Sequence, residues 1–134
     1  MPDYNAPIIE EFHANGGKVS GMFSNMDLLL LTTTGAKSGN TYTRPLAYTT
    51  DGDHIVIIAS KGGAPNNPDW FHNLVAHPDV TVELGTDKFA ARAHRATGQE
   101  RERLYEQHAQ RYPVFNDYKA KTTREIPVFV LERV

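Results

Sequence analysis

Two segments of this chain carry the residue types that anion binding requires. Residues 32–46, TTTGAKSGNTYTRPL, set Gly35 and Gly39 around Lys37 and Ser38. Backbone N–H groups freed by glycine, together with an ammonium and a hydroxyl, can cradle a phosphate or carboxylate. The same residues also suit a solvated hairpin loop. Residues 59–74, ASKGGAPNNPDWFHNL, lead Lys61, Gly62 and Gly63 from a buried strand into a helix start. The free N–H groups and dipole of a helix N-terminus favour negative charge there, and a structural loop with a routine cap is the alternative. Two such loops can converge on one rim, so a phosphate-bearing ligand is the leading expectation. Tyr112, Phe115 and Tyr118 recur at helical spacing, which puts them on one face. Such a stripe packs a core, or lines an apolar pocket and offers phenol hydrogens to a substrate. Trp70 reads as core or as a ring-stacking wall.

Other chemistries find little support. With no cysteine in 134 residues, disulfides, thiolate nucleophiles, iron–sulfur clusters and cysteine-type zinc sites are excluded. The six histidines form no H-E-x-x-H, and His72 and His77 are five apart, off the same-face spacing for two ligands; no metal is expected. Ser20, Ser24, Ser38 and Ser60 lie in no G-x-S-x-G elbow. The acids fall mainly in turns and on a charged helix, against a glycosidase carboxylate pair. Sixteen acids against fourteen Lys and Arg give a net charge of −2, without the positive field that nucleic-acid binding needs. The apolar runs Leu28 to Leu31 and Ile55 to Ala59 fall far short of the ~18 residues of a membrane helix. Asp3, Glu10 and Glu11 stand where a signal peptide would be basic and then apolar. A cytoplasmic protein is expected, with peripheral membrane contact and oligomeric state left open.

The length suits one domain over residues 1–134, which buries roughly two thirds of its unfolded surface without a staple. Residues 5–15 space Ile8, Ile9 and Phe12 as an amphipathic helix that Gly16-Gly17 ends. DLLLLTTT and TYTRPLAYTT read as two strands around a glycine-rich turn, with Pro45 predicting an edge or bulge. Asp51-Gly52-Asp53 is a hairpin turn before HIVIIAS, whose two apolar faces predict a central strand. Asn67-Pro68-Asp69 predicts an N-cap, a first-position proline and an acidic first turn. That helix is expected to pack Phe71, Leu74 and Val75, with Trp70, Asn73 and His77 as a separate stripe. DVTVELG and KFAARAHRAT form a hairpin about Gly85-Thr86, and Thr97 to Glu100 is a capping box opening a helix to about Arg111. A short helix from Pro113 and the strand IPVFVLERV finish the chain. Hairpins in place of βαβ crossovers predict an α+β fold: a mostly antiparallel barrel of about six strands with three or four helices. No G-x-G-x-x-G or Walker loop is present.

LTTTGAKSGNTYTRPL followed by ASKGGAPNNPDWFHNLVAHPDV resembles the deazaflavin-dependent nitroreductase family, and the likeness runs from about Leu28 to the C-terminal strand. The resemblance implies a split β-barrel binding coenzyme F420, a deazaflavin with a phosphate and an oligoglutamate tail, in a family associated mainly with actinobacterial redox enzymes. By position, Lys37, Ser38 and Gly39 would sit by the phosphate and acidic tail, with Arg44 supporting them from the strand face of Tyr42. Ser60, Lys61, Gly62, Gly63 and Ala64 would wrap the phosphate and the deazaflavin edge, and Ser60 would also stand at the reacting ring. Pro68, Trp70 and Asn73 would wall the pocket. Tyr112 and Tyr118 would contact the acceptor, with Phe115 between them. Ala36 and Tyr42 stand where arginines are frequent in the family, and Phe115 where some members have tyrosine. The implied activity is hydride transfer from reduced F420 to a quinone, nitro compound or other electron-poor acceptor. An FMN-dependent split-barrel oxidoreductase, of the type resembling pyridoxamine-phosphate oxidase, and a non-catalytic F420 carrier are the alternatives.

Overall fold

The computed structural model describes residues 6–19 and 26–134. Ser20, Ser24, Asp3 and the first residue of the expected entry helix lie outside them. Helices α1 (Ala6–Ala14), α2 (Asp69–Ala76), α3 (Gly98–Arg111) and α4 (Val114–Lys121) accompany seven strands. These are β1 (Leu28–Thr34), β2 (Thr41–Ala47), β3 (Thr49–Asp51), β4 (His54–Ile58), β5 (Asp79–Leu84), β6 (Asp87–Ala96) and β7 (Val128–Arg133). A 3₁₀ turn, Lys61–Gly63, lies between β4 and α2.

All the strand pairs are antiparallel, in the order β2-β1-β5-β6-β7-β4-β3. The two edge strands, β2 and β3, are successive stretches of one chain separated only by Tyr48. Both sheet edges must therefore meet at that residue, and the sheet curls into a split barrel. The expected second strand is thus two strands bent at Tyr48, which raises the count from about six to seven. Pro45 sits on edge strand β2 opposite Leu30, where a missing ladder donor costs little.

HIVIIAS does not form the central strand. β4 is next to the edge, and its apolar faces are both buried because something covers each side. Ile55 and Ile57 fill the barrel with Leu29, Leu31, Val80, Val82, Phe129 and Leu131, under Trp70 and Leu74 of α2. Val56 and Ile58 face Leu104, Tyr105 and Ala109 of α3 and Phe115 of α4. Full burial of each such side chain stabilises by about 1.5–3 kcal/mol. On α1, Phe12 seals Leu28 and Leu30.

The start of α2 differs from expectation by one residue. Pro68 is the N-cap, extended at φ −68° and ψ 160°, and the Asn67 side chain is turned away to accept from Arg124. The buried face of α2 is Trp70 with Leu74, while Val75 is 63% exposed; the barrel mouth accepts the i, i+4 pair and leaves Val75 outside. Thr97 caps α3 by position, without a side-chain bond. Tyr112 is the C-cap of α3 and Pro113 the N-cap of α4, so the three aromatics do not share one helix. The break still brings them into a row, with ring centroids 6.2 Å apart for Tyr112 and Phe115 and 5.1 Å for Phe115 and Tyr118.

Candidate functional site

The two lysine loops lie on either side of the N-terminal turn of α2. On one side Gly35, Ala36, Lys37, Ser38 and Tyr42 face Asp69, His72 and Asn73 across a cleft of about 680 Å³. On the other, a smaller cavity of about 210 Å³ is walled by Pro45, Leu46, Ala47, Ile58, Pro68, Trp70, Phe115 and Tyr118, with Ser60 and Lys61 at its polar edge. β2 runs past both, giving Tyr42 to the cleft and Pro45 to Ala47 to the cavity. The two compartments adjoin along this strand and the first turn of α2.

The cleft loop is held from both ends. Its turn opens where Gly35 N–H donates to the Asn40 carbonyl and Gly39 N–H to the Gly35 carbonyl. A Cβ at Gly35 would lie 2.5 Å from Ser38 Oγ and 2.8 Å from the Tyr42 ring, so a side chain there would displace both. Ser38 shares a hydrogen bond of 3.2 Å with the Tyr42 hydroxyl and accepts from the Asn40 N–H. The Arg44 guanidinium lies 5.9 Å from the Tyr42 ring centroid, on the same strand face, and donates to its neighbour's carbonyl, Thr43 O. Gly39 is exposed at φ +74°. Lys37 is the cation of the cleft lining and Asp69 its carboxylate.

Asn73 joins the loop to the barrel. Its Oδ1 accepts from the Ala36 N–H at 3.1 Å, and its Nδ2 donates to Thr33 Oγ1 at 3.1 Å. It therefore lines the cleft as a clamp, whereas Pro68 and Trp70 wall the cavity. Trp70 is buried against Phe129, with ring centroids 6.1 Å apart, and it also reaches the cavity.

At the second loop, Lys61 adopts φ +47°, the one non-glycine residue with positive φ among those described. An L-residue there is strained by about 1–2 kcal/mol, and such strain clusters at binding sites. Its Nζ donates to Asn66 Oδ1 at 3.3 Å. Gly63, at φ +82°, admits no side chain: a Cβ would lie 2.9 Å from the Tyr118 carbonyl and 2.9 Å from Lys121 Cβ. This close approach seats α4 on the loop and brings Tyr118 to the cavity. Gly62 completes the turn, and the Ala64 N–H closes it on the Lys61 carbonyl. Among the described residues Lys37, Arg44 and Lys61 pair with no carboxylate.

Tyr112 stands apart from the cavity. Its hydroxyl is spent on the backbone, donating to the Tyr48 carbonyl and accepting from the Asp27 N–H, each at 3.0 Å. The residue is 3% exposed and is absent from the cavity wall; burial pushes its phenol pKa up and keeps the proton on. Tyr118 and Phe115 are the aromatics that reach the cavity.

Arg124 was not anticipated. Its Nε donates to the Ala64 carbonyl at 2.9 Å, Nη1 to Asn67 Oδ1 at 2.8 Å, and Nη2 to the Ser60 carbonyl at 2.8 Å. Nη1 and Nη2 also reach the Ala59 carbonyl, each at 3.3 Å. Desolvation lowers its pKa from the ordinary value. Nothing in T-R-E-I-P marks this arginine as a partner of a loop some sixty positions earlier. Behind the cavity wall, His108 is fully buried, its Nδ1 bonded to Thr49 Oγ1 at 2.9 Å and its Nε2 without a hydrogen-bond partner among the described residues.

Among the described residues no cluster of metal-ligating side chains occurs, and no helix is long and apolar enough to cross a membrane. An F420H(2)-dependent quinone reductase of Mycobacterium tuberculosis is 43% identical over 111 residues, spanning 78% of this chain and 72% of that one. A solved F420-H2 dependent reductase is 39% identical with a TM-score of 0.73, covering 78% of this chain and 93% of its own. A second solved chain, described as a domain-swapped dimer, is 34% identical with a TM-score of 0.75, covering 94% of this chain and 96% of its own. The sequence model of one family matches residues 8–133. The chain therefore belongs to the F420H(2)-dependent quinone reductase family, as an F420-dependent oxidoreductase whose cofactor is coenzyme F420.

Proposed function

We propose that this chain, as one cytoplasmic domain, transfers hydride from reduced F420 to an electron-poor acceptor, a quinone or a nitro compound. The observation that carries this reading is the adjoining pair of compartments, a polar cleft with Lys37 and an apolar cavity with Lys61, sharing β2 and the first turn of α2. The residues present suit the cofactor. Lysines and an arginine that pair with no carboxylate among the described residues suit a phosphate and an acidic tail, and the apolar cavity suits a flat ring. Lys37, Ser38 and Gly39 take the tail side with Arg44 behind them. Ser60, Lys61, Gly62, Gly63 and Ala64 take the phosphate, while Pro68 and Trp70 wall the ring and Asn73 ties the Lys37 loop to α2.

When bound, the reduced deazaflavin supplies the hydride. The chain's own residues orient the reactants, exclude water through the Trp70, Phe115 and Tyr118 wall, and stabilise negative charge that develops on the acceptor. Ser60, buried at the cavity edge, would stand beside the ring. Tyr118 offers a phenol hydrogen to the acceptor, and solvent is the competing final proton source.

Side-by-side titration with oxidised F420 and FMN tests the reading. F420 is expected to bind with micromolar or better affinity and FMN much more weakly; equal or tighter FMN binding refutes it. Tight F420 binding without turnover on a panel of quinones and nitro compounds identifies a carrier instead.

A further inference from the structure

Arg124 spends its guanidinium on neutral acceptors. Nε meets one carbonyl, and Nη1 and Nη2 together meet two more and the Asn67 amide oxygen. A guanidinium has five N–H donors, and each is accounted for, so none is left for a ligand. Nor does any carboxylate pair with it among the described residues. Its charge is therefore uncompensated and lies directly behind the 3₁₀ turn.

The peptide geometry shows where that charge acts. No peptide bond in the described chain is cis, and in a trans peptide the C=O and N–H point in opposite directions. Drawing the Ala59 and Ser60 carbonyls onto Arg124 turns the next two N–H groups, those of Ser60 and Lys61, away from it. Ser60 and Lys61 line the cavity, and Arg124 does not. We propose that Arg124 is a positioning residue: it presents the Ser60 and Lys61 N–H groups to an anion and, through the two peptide dipoles, sets its positive charge behind them. The strained φ of Lys61 is then the conformation that this clamp imposes. The arrangement parallels the fixed dipoles of backbone anion nests. It rests on the reading of this loop as the seat of the cofactor phosphate.

The test measures affinity for oxidised F420 and for the same deazaflavin stripped of phosphate and tail, by fluorescence titration of wild type, Arg124→Met, Arg124→Lys and Lys61→Ala. Backbone amide NMR shifts of Ser60 and Lys61 on F420 addition are recorded alongside. Arg124→Met is expected to weaken F420 about tenfold or more, to change the stripped deazaflavin less than about twofold, and to abolish the two amide shifts. Arg124→Lys keeps the cation but cannot reach every acceptor, and is expected to recover part of the loss; it also serves if Arg124→Met fails to fold. Wild-type F420 affinity in the folded arginine variants, or equal losses for the two ligands, overturns the proposal. If Lys61→Ala weakens F420 while the arginine variants do not, the proposal alone falls. If Lys61→Ala also binds as wild type, the loop is not the anion seat and both readings fall.

Discussion

Tyr112 and Tyr48 are joined across the closure of the barrel. The Tyr112 hydroxyl donates to the Tyr48 carbonyl at 3.0 Å and accepts from the Asp27 N–H at 3.0 Å, while the Tyr48 N–H donates to the Asp27 carbonyl at 3.1 Å. Tyr48 is the residue at which the chain passes from one sheet edge to the other, so this phenol fastens the seam. Tyr112→Phe leaves a carbonyl and an N–H without their partner, at a cost of about 1–3 kcal/mol. Thermal unfolding should fall accordingly, while kcat/KM and cofactor affinity hold; a turnover loss at unchanged stability would return Tyr112 to the reaction.

Tyr118 should behave in the opposite way. Tyr118→Phe keeps the ring that lines the cavity and removes only the hydroxyl, so kcat/KM for a quinone should drop roughly five- to a hundred-fold. Melting temperature and F420 affinity should stay put. Unchanged turnover leaves solvent as the proton source.

Lys61 combines strain with charge, and two substitutions separate them. Lys61→Ala removes a charge-assisted contact worth roughly 1.5–3 kcal/mol, about ten- to a hundred-fold in F420 affinity. Lys61→Gly removes the same contact and also relieves the positive φ, so it should melt higher than Lys61→Ala by the equivalent of about 1 kcal/mol. Calorimetry and titration on the same samples read both effects. A Gly variant no more stable than the Ala variant would show that the backbone is unstrained.

Gly63→Ala should disable the site by a different route. The added Cβ meets backbone of α4 at 2.9 Å and the φ is +82°, so α4 must lift off the loop. F420 affinity and acceptor KM are expected to worsen together, with stability lower by roughly 1–3 kcal/mol. Retention of both kinetic constants would mean that α4 tolerates the shift.

His108 contributes to the acid limb of stability. Burial lowers its pKa to about 4 from 6.5. The unfolded chain therefore binds the proton first as pH falls, so this contribution is complete above pH 6.5 and is lost between about 6.5 and 4, amounting to about 3 kcal/mol by pH 4. Denaturant unfolding of wild type and His108→Gln at pH 7 and pH 5 should show a flatter pH dependence in the variant. Parallel curves would mean that His108 titrates normally.

What was legible in the sequence was whatever is decided within a turn or a strand. The glycine–lysine loops, the Gly85-Thr86 hairpin, the edge position of Pro45 and the helix ended by Gly16-Gly17 follow from local dihedral limits and hydrophobic period, which act over a few residues. HIVIIAS announced two buried faces, but burial does not say which neighbours supply the cover, and the strand lies beside an edge under α3. The Tyr112, Phe115 and Tyr118 spacing suggested one face, yet Pro113 breaks the helix between the first two and the seam at Tyr48 takes the first hydroxyl. Asn67 looked like a helix cap because Asn prefers that position, and it was claimed instead by an arginine far along the chain. Asn73, Arg124 and Gly63 owe their roles to approaches between segments that sequence separation conceals. Only the closure of the sheet brought those backbones close enough for an amide, a guanidinium or a missing Cβ to matter.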